Sequence, residues 1–175
     1  MHIEEALGLI RQIPNFPKPD VLFQDITPLL ANSEGFSAVI SGTSDLSPDA
    51  NVVAGIEARG FIFASAIANH KRIGFVPLRK AGKLPYSTHS REYGLEYGQD
   101  RLEIHKDAFN RKSKVLLVDD VLATGGTIVA ALELIEDAGG LIQDVAVIIE
   151  IRELAGREKI ESRFPGIRLH SLMAI

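Results

Sequence analysis

Short apolar runs, separated by stretches with helical spacing, dominate the middle of this chain. Four runs have almost no polar interruption, at residues 52–56, 73–78, 115–118 and 144–149. Such runs are typical of strands buried on both faces of a parallel sheet. Helical spacing follows at residues 61–69 and 128–135, and the glycine pair at 139–140 is a stop signal. This order predicts an α/β fold, an open, mainly parallel, twisted sheet flanked by helices.

The first 32 residues show another pattern. Apolar positions 3, 6, 7, 10 and 13 predict a first helix with an apolar stripe. Prolines between positions 14 and 19 then keep the chain extended up to a short apolar edge, Val21, Leu22 and Phe23. Phe23 can stack on a flat base while nearby backbone groups bind its edge. A plain core contact is the alternative for this side chain.

The stretch from residue 85 to about residue 99 has few apolar residues to anchor it. It predicts a mobile excursion, followed at residues 101–105 by a half-exposed strand with alternating polarity. A long loop over a polar rim is a candidate lid (about residues 84–100) that excludes water, with hinges at Gly94 and Gly98. An exposed hairpin without a catalytic part is the alternative.

Composition narrows the class of protein. With 175 residues and 46% apolar content, the chain suits one well-packed domain over residues 1–175. A net charge of −4 argues against a nucleic-acid surface, and no apolar run approaches the roughly 20 residues that span a bilayer. The chain has no cysteine, its five histidines lack metal-ligand spacing, and its start is unlike a signal peptide. We therefore expect a cytoplasmic protein without a thiolate metal site.

The run at 115–118 ends in Asp119, Asp120 and a small loop, residues 123–127. A helix start offers unpaired N–H groups and the positive end of the helix dipole, so it binds anions. The loop's glycines allow close approach and its threonine hydroxyls add donors, which predicts a phosphate site formed by Ala123, Thr124, Gly125, Gly126 and Thr127. Adjacent carboxylates can hold sugar hydroxyls or a hydrated divalent cation. A phosphate site beside a site for a diol fits a ribose 5-phosphate. The alternative is that the two acids only end a strand and the glycines only form a turn.

Two more strand ends carry polar loops. The run at 52–56 leads into residues 57–60, and the run at 73–78 leads into residues 79–83. Because the carboxyl ends of parallel strands form one rim, we expect these loops to meet. Guanidinium groups and ammonium groups suit a pyrophosphate, which predicts a second anion site lined by Arg59, Arg79, Lys80 and Lys83. A solvated charged surface is the alternative.

The string from Val115 to Thr127 is neither a Walker loop nor a dinucleotide fingerprint. It resembles the phosphoribosyl pyrophosphate signature of the type I phosphoribosyltransferases, and its Ala-Thr-Gly-Gly-Thr ending is similar to the adenine-specific members. The resemblance covers residues 16–161 and implies the type I phosphoribosyltransferase fold with an N-terminal hood (about residues 1–32) that holds the base. It further implies purine salvage, the transfer of ribose 5-phosphate from phosphoribosyl pyrophosphate to adenine, giving AMP and pyrophosphate.

The same resemblance assigns roles to particular residues. Glu96 would exchange a proton with the purine and Tyr97 would close over the sugar; from sequence alone, Glu92 and Glu103 are equal candidates for the proton transfer. Family members specific for oxopurines carry Asp where this chain has Ala123, which favours adenine. Asp119 and Asp120 would engage Mg²⁺ indirectly, through ribose hydroxyls or water.

Family members also carry a non-proline cis peptide in the first loop, expected here beside Arg59, and they imply a homodimer whose pyrophosphate contacts can cross the interface. Two positions depart from the family pattern, Gln24 where Arg is common and Asp20 where Gly is usual. The alternatives in function are transfer to another purine and a regulator that binds phosphoribosyl pyrophosphate without catalysis.

Overall fold

A computed structural model describes residues 1–94 and 99–175 of the chain. The strands are β1 (Arg11–Pro14), β2 (Leu22–Asp25), β3 (Val52–Ile56), β4 (Gly74–Lys80), β5 (Thr88–Gly94), β6 (Gln99–His105), β7 (Lys114–Leu122), β8 (Leu141–Glu150) and β9 (Arg168–Ala174). The helices are α1 (Ile3–Leu7), α2 (Thr27–Ala31), α3 (Ser33–Asp45), α4 (Arg59–Lys71), α5 (Gly126–Asp137) and α6 (Gly156–Arg163).

One seven-stranded sheet organises the molecule, in the order β5-β6-β4-β3-β7-β8-β9. Strands β4, β3, β7, β8 and β9 are parallel, whereas β6 and β5 continue the sheet as an antiparallel hairpin at one edge. The predicted open, mainly parallel α/β sheet is therefore confirmed.

Helices cover both faces of this sheet, which explains the unbroken apolar runs. On one face, Leu117 of β7 belongs to a core with Leu132 and Ile135 of α5. On the other, Leu116 belongs to a core that includes Phe63 of α4. Because successive strand residues point to opposite faces, both sets must be apolar, and full burial of each such side chain contributes about 1.5–3 kcal/mol.

The N-terminal segment differs from the single helix predicted from positions 3 to 13. Helix α1 ends at Leu7, and Ile13 lies instead in β1, opposite Phe23 of β2 in a two-stranded antiparallel ribbon. The extended partner strand offers the backbone of β1 a ladder of hydrogen bonds, which overrides the helical spacing of its apolar residues. Asp20 has a φ of 65°, a left-handed conformation that Asp tolerates better than most residues, so the turn forms without Gly.

The predicted excursion at 85–99 is wrong for residues 88–94, which form strand β5. The sequence did not predict this strand because its side chains are mostly polar. Strand β5 lies at the edge of the sheet and is held there by its pairing with β6. Arg91 also binds Asp137 of α5, with the Nη2 to Oδ2 distance at 2.6 Å. Residues 95–98 lie outside the described residues. Among the helices that the structure describes, none has the length and apolar content needed to cross a membrane.

Candidate active site

The predicted strand ends meet where the strand order reverses. Strands β3 and β7 are neighbours, while β4 lies beyond β3 and β8 beyond β7. At such a switch point the loops that leave the two central strands diverge to opposite faces and open a crevice, which is where open α/β sheets bind ligands. Residues 57–58 connect β3 to α4, and residues 123–125 connect β7 to α5, at this crevice.

Two buried carboxylates stand at the end of β7. Asp119 and Asp120 are 9% and 5% exposed, and the Asp120 backbone N–H donates to Asp119 Oδ1 at 2.9 Å. Burial, reinforced by the charge of Asp120, raises the pKa of Asp119 well above its ordinary range. Burial also raises the pKa of Asp120, against the opposing charge of Arg59. Gly60 permits this packing, because a Cβ there would stand 2.8 Å from Asp119 Oδ1.

Arg59 joins the carboxylates to the N-terminal ribbon. Its Nε lies 2.8 Å from Asp120 Oδ2, and its guanidinium carbon lies 5.2 Å from the centre of the Phe23 ring, a distance compatible with a cation–π contact. A non-proline cis peptide between Glu57 and Ala58 immediately precedes it, as expected from the family resemblance. Arg59 therefore sits over the β7 carboxylates, apart from the other basic residues with which it was predicted to act.

Two of the other three predicted cations, Arg79 and Lys83, bind Glu57, a residue that sequence reasoning left without a role, whereas the Lys80 ammonium binds Asp100. Arg79 Nε lies 3.3 Å from the Glu57 carboxylate, the Lys80 backbone N–H donates to it at 2.9 Å, and the Lys83 ammonium contacts its second oxygen. Burial favours the neutral acid, but these three donors prevail and hold the pKa of Glu57 below its ordinary value. Glu57 thus neutralises the cluster and fixes its geometry.

The glycine loop at the start of α5 is shaped by a distant segment. Gly125 has a φ of 78°, and a Cβ on Gly156 would stand 2.2 Å from the Ala123 carbonyl oxygen. The first residue of α6 therefore packs directly beneath the loop. Lys159 of α6 also reaches the loop, its Nζ 3.7 Å from where a Cβ on Gly126 would be. No local sequence pattern relates Gly156 to a loop that precedes it by some thirty residues.

The loop and the last two residues of β7, which follow the carboxylates in the chain, border a small cavity of about 60 Å³. It is lined by Val121, Leu122, Ala123, Thr124, Gly125, Thr127 and Ile128. The predicted phosphate site and the predicted diol site are thus adjacent, on one continuous stretch of backbone.

The N-terminal ribbon supplies an aromatic and apolar surface. The rings of Phe16 and Phe23 meet edge to face, with centroids 5.1 Å apart. Val21 and Leu22 border a cavity of about 390 Å³ together with Ile151, Leu154 and Ile175. Gln24 is 4% exposed, and its Oε1 finds no hydrogen-bond partner among residues 1–94 and 99–175. Glu96 and Tyr97 lie outside the described residues, so their roles stay predictions from the sequence.

Asp119 and Asp120 are the candidate ligands for Mg²⁺ at the end of β7. The part of the chain that the structure describes holds no group of three or more His, Cys, Asp or Glu side chains placed for one metal ion. Mg²⁺ commonly binds through one or two carboxylates and keeps water and substrate oxygens as its other ligands. Asp119 and Asp120, with hard oxygen atoms at the end of β7, fit such an indirectly held ion.

Fold, switch-point carboxylates and glycine loop together define a class of protein. The model of the phosphoribosyl transferase domain matches residues 23–165, so this chain belongs to the phosphoribosyltransferase family.

Individual relatives narrow the family further. An adenine phosphoribosyltransferase of Symbiobacterium thermophilum is 53% identical over 154 residues, covering 87% of this chain and 91% of the relative. The crystal structure of the Giardia lamblia enzyme complexed with 9-deazaadenine superposes with a TM-score of 0.92 and 38% identity, over 100% of this chain and 98% of the other. The structure of the Saccharomyces cerevisiae adenine phosphoribosyltransferase, complexed with adenine and an imino-altritol 1,6-bisphosphate, superposes with a TM-score of 0.89 and 35% identity, over 97% of each chain. These similarities place the chain among the adenine phosphoribosyltransferases.

Proposed function

We propose that this chain is an enzyme of purine salvage that transfers ribose 5-phosphate from phosphoribosyl pyrophosphate to adenine, giving AMP and pyrophosphate. The observation that carries the proposal is the meeting, at one switch point, of a glycine loop that starts a helix and two buried carboxylates. A basic cluster at the end of β4 borders the same crevice. The relative from Saccharomyces cerevisiae was crystallised with the two corresponding ligand types, adenine and a bisphosphorylated sugar analogue.

The 5-phosphate end of the donor would be held by residues 123–127. The backbone N–H groups at the start of α5 point at the loop, and the helix dipole favours a dianion there. Thr124 and Thr127 add hydroxyl donors. Gly125 and Gly126 let the backbone approach the phosphate oxygens without a side chain between them.

Asp119 and Asp120 would hold the ribose hydroxyls. Their negative charge would also stabilise the positive charge that develops on the sugar as pyrophosphate departs, because it acts in a site shielded from water. Mg²⁺, when bound, supplies positive charge to the leaving group. Arg59 holds Asp120 in place through its ion pair.

Pyrophosphate would be received by Arg79, Lys80 and Lys83, together with Arg59. The first three now share Glu57 and Asp100 as counter-ions. A pyrophosphate offers more negative charge than these carboxylates, so it can recruit the same cations as it leaves the sugar.

Adenine would lie against Phe23, with Val21 and Leu22 contributing backbone and apolar contacts at its edge. Ala123 leaves room beside the base where oxopurine-specific family members carry Asp. Glu96 would exchange a proton with the imidazole part of the purine as the glycosidic bond forms, and Tyr97 would cover the sugar.

Two wider properties complete the proposal. A homodimer is expected from the family, and sedimentation analysis of the purified protein tests it. A cytoplasmic location is expected because a sugar with several phosphate charges does not cross a bilayer unaided, so the enzyme must share a compartment with its donor. Neither nucleic acid nor membrane is an expected partner.

One assay tests the activity. Purified protein, labelled phosphoribosyl pyrophosphate and Mg²⁺ are incubated in parallel with adenine, guanine, hypoxanthine or xanthine. We expect AMP from adenine and little product from the oxopurines. Product from another base instead would overturn the substrate assignment. Donor binding without any product would favour a regulatory protein that senses phosphoribosyl pyrophosphate.

A further inference from the structure

The edge hairpin carries a hydrogen-bonded pair that belongs to neither phosphate subsite. Tyr93 of β5 and Asp100 of β6 are direct cross-strand partners. The Tyr93 hydroxyl donates to Asp100 Oδ2 at 3.0 Å, and Lys80 Nζ donates to the same oxygen at 2.8 Å. One carboxylate oxygen thus holds both the tyrosine and a lysine of the basic cluster.

The ring of Tyr93 reaches helix α5. It packs against the core that contains Ile128 and Leu132 of that helix. Burial, together with the hydrogen bond and charge of Asp100, raises the pKa of Tyr93 to about 12. The phenol therefore keeps its proton at neutral pH and donates it to Asp100.

Asp100 remains ionised in this arrangement. The Lys80 ammonium, opposed by burial and assisted by the Tyr93 hydroxyl, holds the pKa of Asp100 below its ordinary value. Lys80, Asp100 and Tyr93 thus form a chain of contacts from the basic cluster to the core beside α5.

We propose that Tyr93 and Asp100 are positioning residues that hold Lys80 of the pyrophosphate subsite at a fixed distance from α5, the helix whose start forms the 5-phosphate subsite. The proposal rests on the proposed function, since it concerns the two ends of the same donor. A lysine side chain loses much of its rotamer entropy when it is fixed. Fixing Lys80 on Asp100 before the donor arrives removes that cost from binding. The rigid Tyr93 ring transmits the position of α5 to Asp100.

Two conservative variants test the chain of contacts. Tyr93→Phe keeps the ring and removes the hydroxyl, while Asp100→Asn keeps the shape and removes the charge. Losing a hydrogen bond to a charged group should raise both KM and Kd for phosphoribosyl pyrophosphate roughly 10-fold. KM for adenine and the melting temperature should stay near those of the unmodified protein, which a general loss of packing would not allow. Asp100→Glu should restore part of the donor affinity.

A double variant shows whether Tyr93 and Asp100 act through one chain of contacts or independently of each other. If Tyr93 and Asp100 act through one chain, Tyr93→Phe combined with Asp100→Asn should weaken donor binding little more than the worse single change. Asp107→Asn, which removes the charge of an exposed acid on the turn after β6, is the matched control and should bind the donor normally.

Binding and turnover are measured separately, by calorimetric titration with donor and Mg²⁺ and by AMP formation. Unchanged donor Kd in Tyr93→Phe, or fully additive losses in the double variant, would overturn the positioning role. Failure of the unmodified protein to bind the donor, or to form AMP after binding it, would instead count against the proposed function.

Discussion

A backbone carbonyl of the glycine loop and a backbone carbon of α6 lie too close for any side chain between them. A Cβ on Gly156 would stand 2.2 Å from the Ala123 oxygen and 2.9 Å from the Gly125 nitrogen. Both neighbours are backbone atoms, so a flexible side chain cannot move away to relieve the clash. The shape of the loop thus depends on the smallest residue at a position more than thirty residues away.

Gly156→Ala should therefore displace the loop. We expect donor affinity to fall roughly 10-fold or more and the free energy of unfolding to fall by about 1–3 kcal/mol, the usual effect of overpacking. Titration with phosphoribosyl pyrophosphate and urea unfolding measure the two effects. Gly166→Ala is the matched control, because a Cβ at Gly166 meets nothing within 4 Å. Equal donor affinity in both variants would show that the loop adapts.

Glu96→Ala tests the predicted proton transfer. Because Glu96 is expected to act on the base, turnover should fall by a factor of about 10²–10⁴ while donor Kd changes little. Steady-state kinetics and donor titration separate the two quantities. Glu92→Ala and Glu103→Ala serve as comparisons, since sequence alone did not distinguish these acids. A larger loss of turnover at either position would transfer the role to that residue.

Among the helices and strands, those that are buried were easier to predict from the sequence than those at an edge. The parallel strands and α5 were predictable because two covered faces demand unbroken apolar runs and helical spacing. Strand β5 was not, because an edge strand is fixed by backbone pairing and by ion pairs such as Arg91 with Asp137. Helix α1 was predicted too long because tertiary pairing of β1 with β2 decided the state of Ile13.

A buried acid ties three elements together at the end of the sheet opposite the glycine loop. Asp144 of β8 is fully buried, and both its oxygens accept hydrogen bonds from Arg168 of β9 at 2.7 Å. Ser47, just after α3, donates at 2.7 Å, and His170 of β9 lies at 2.9 Å. Burial opposes ionisation, but these partners prevail and lower the pKa of Asp144 to about 2.

Asp144→Asn should consequently destabilise the protein in a pH-dependent way. An aspartate with a pKa near 4 when unfolded and about 2 when folded stabilises the fold by about 2.5 kcal/mol above pH 4, and this contribution is lost as the pH falls towards 2. Urea unfolding from pH 7 down to pH 3 should show a difference between the two proteins that is largest at neutral pH. Asp107→Asn should show no such trend. A difference that stays constant with pH would indicate a packing effect instead.

For the molecule as a whole, the location of the candidate site was predictable from the sequence, but the contacts among its charged residues were not. Parallel strands place their carboxyl ends on one rim, so polar loops after β3, β4 and β7 had to converge. Of the counter-ions that organise them, Asp100 stands among several acids of the same stretch, and Glu57 has no local sequence feature that shows it facing cations from the next strand. Which acid faces which cation depends on the register of the sheet and the hairpin, and that register is set by long-range pairing.

Donor binding should stabilise the entire fold, since the site joins both central strands, α5 and the N-terminal ribbon. At a free donor concentration of about 100 times Kd, linkage predicts a gain of about 2.7 kcal/mol, measurable as a raised melting temperature. If Mg²⁺ reaches the carboxylates through the ribose hydroxyls, adding EDTA should remove much of this gain. Asp120→Asn should respond weakly to Mg²⁺, because it lacks the charge that attracts the hydrated ion. Equal thermal shifts with Mg²⁺ and with EDTA would mean that the cations of the site hold the donor without the metal.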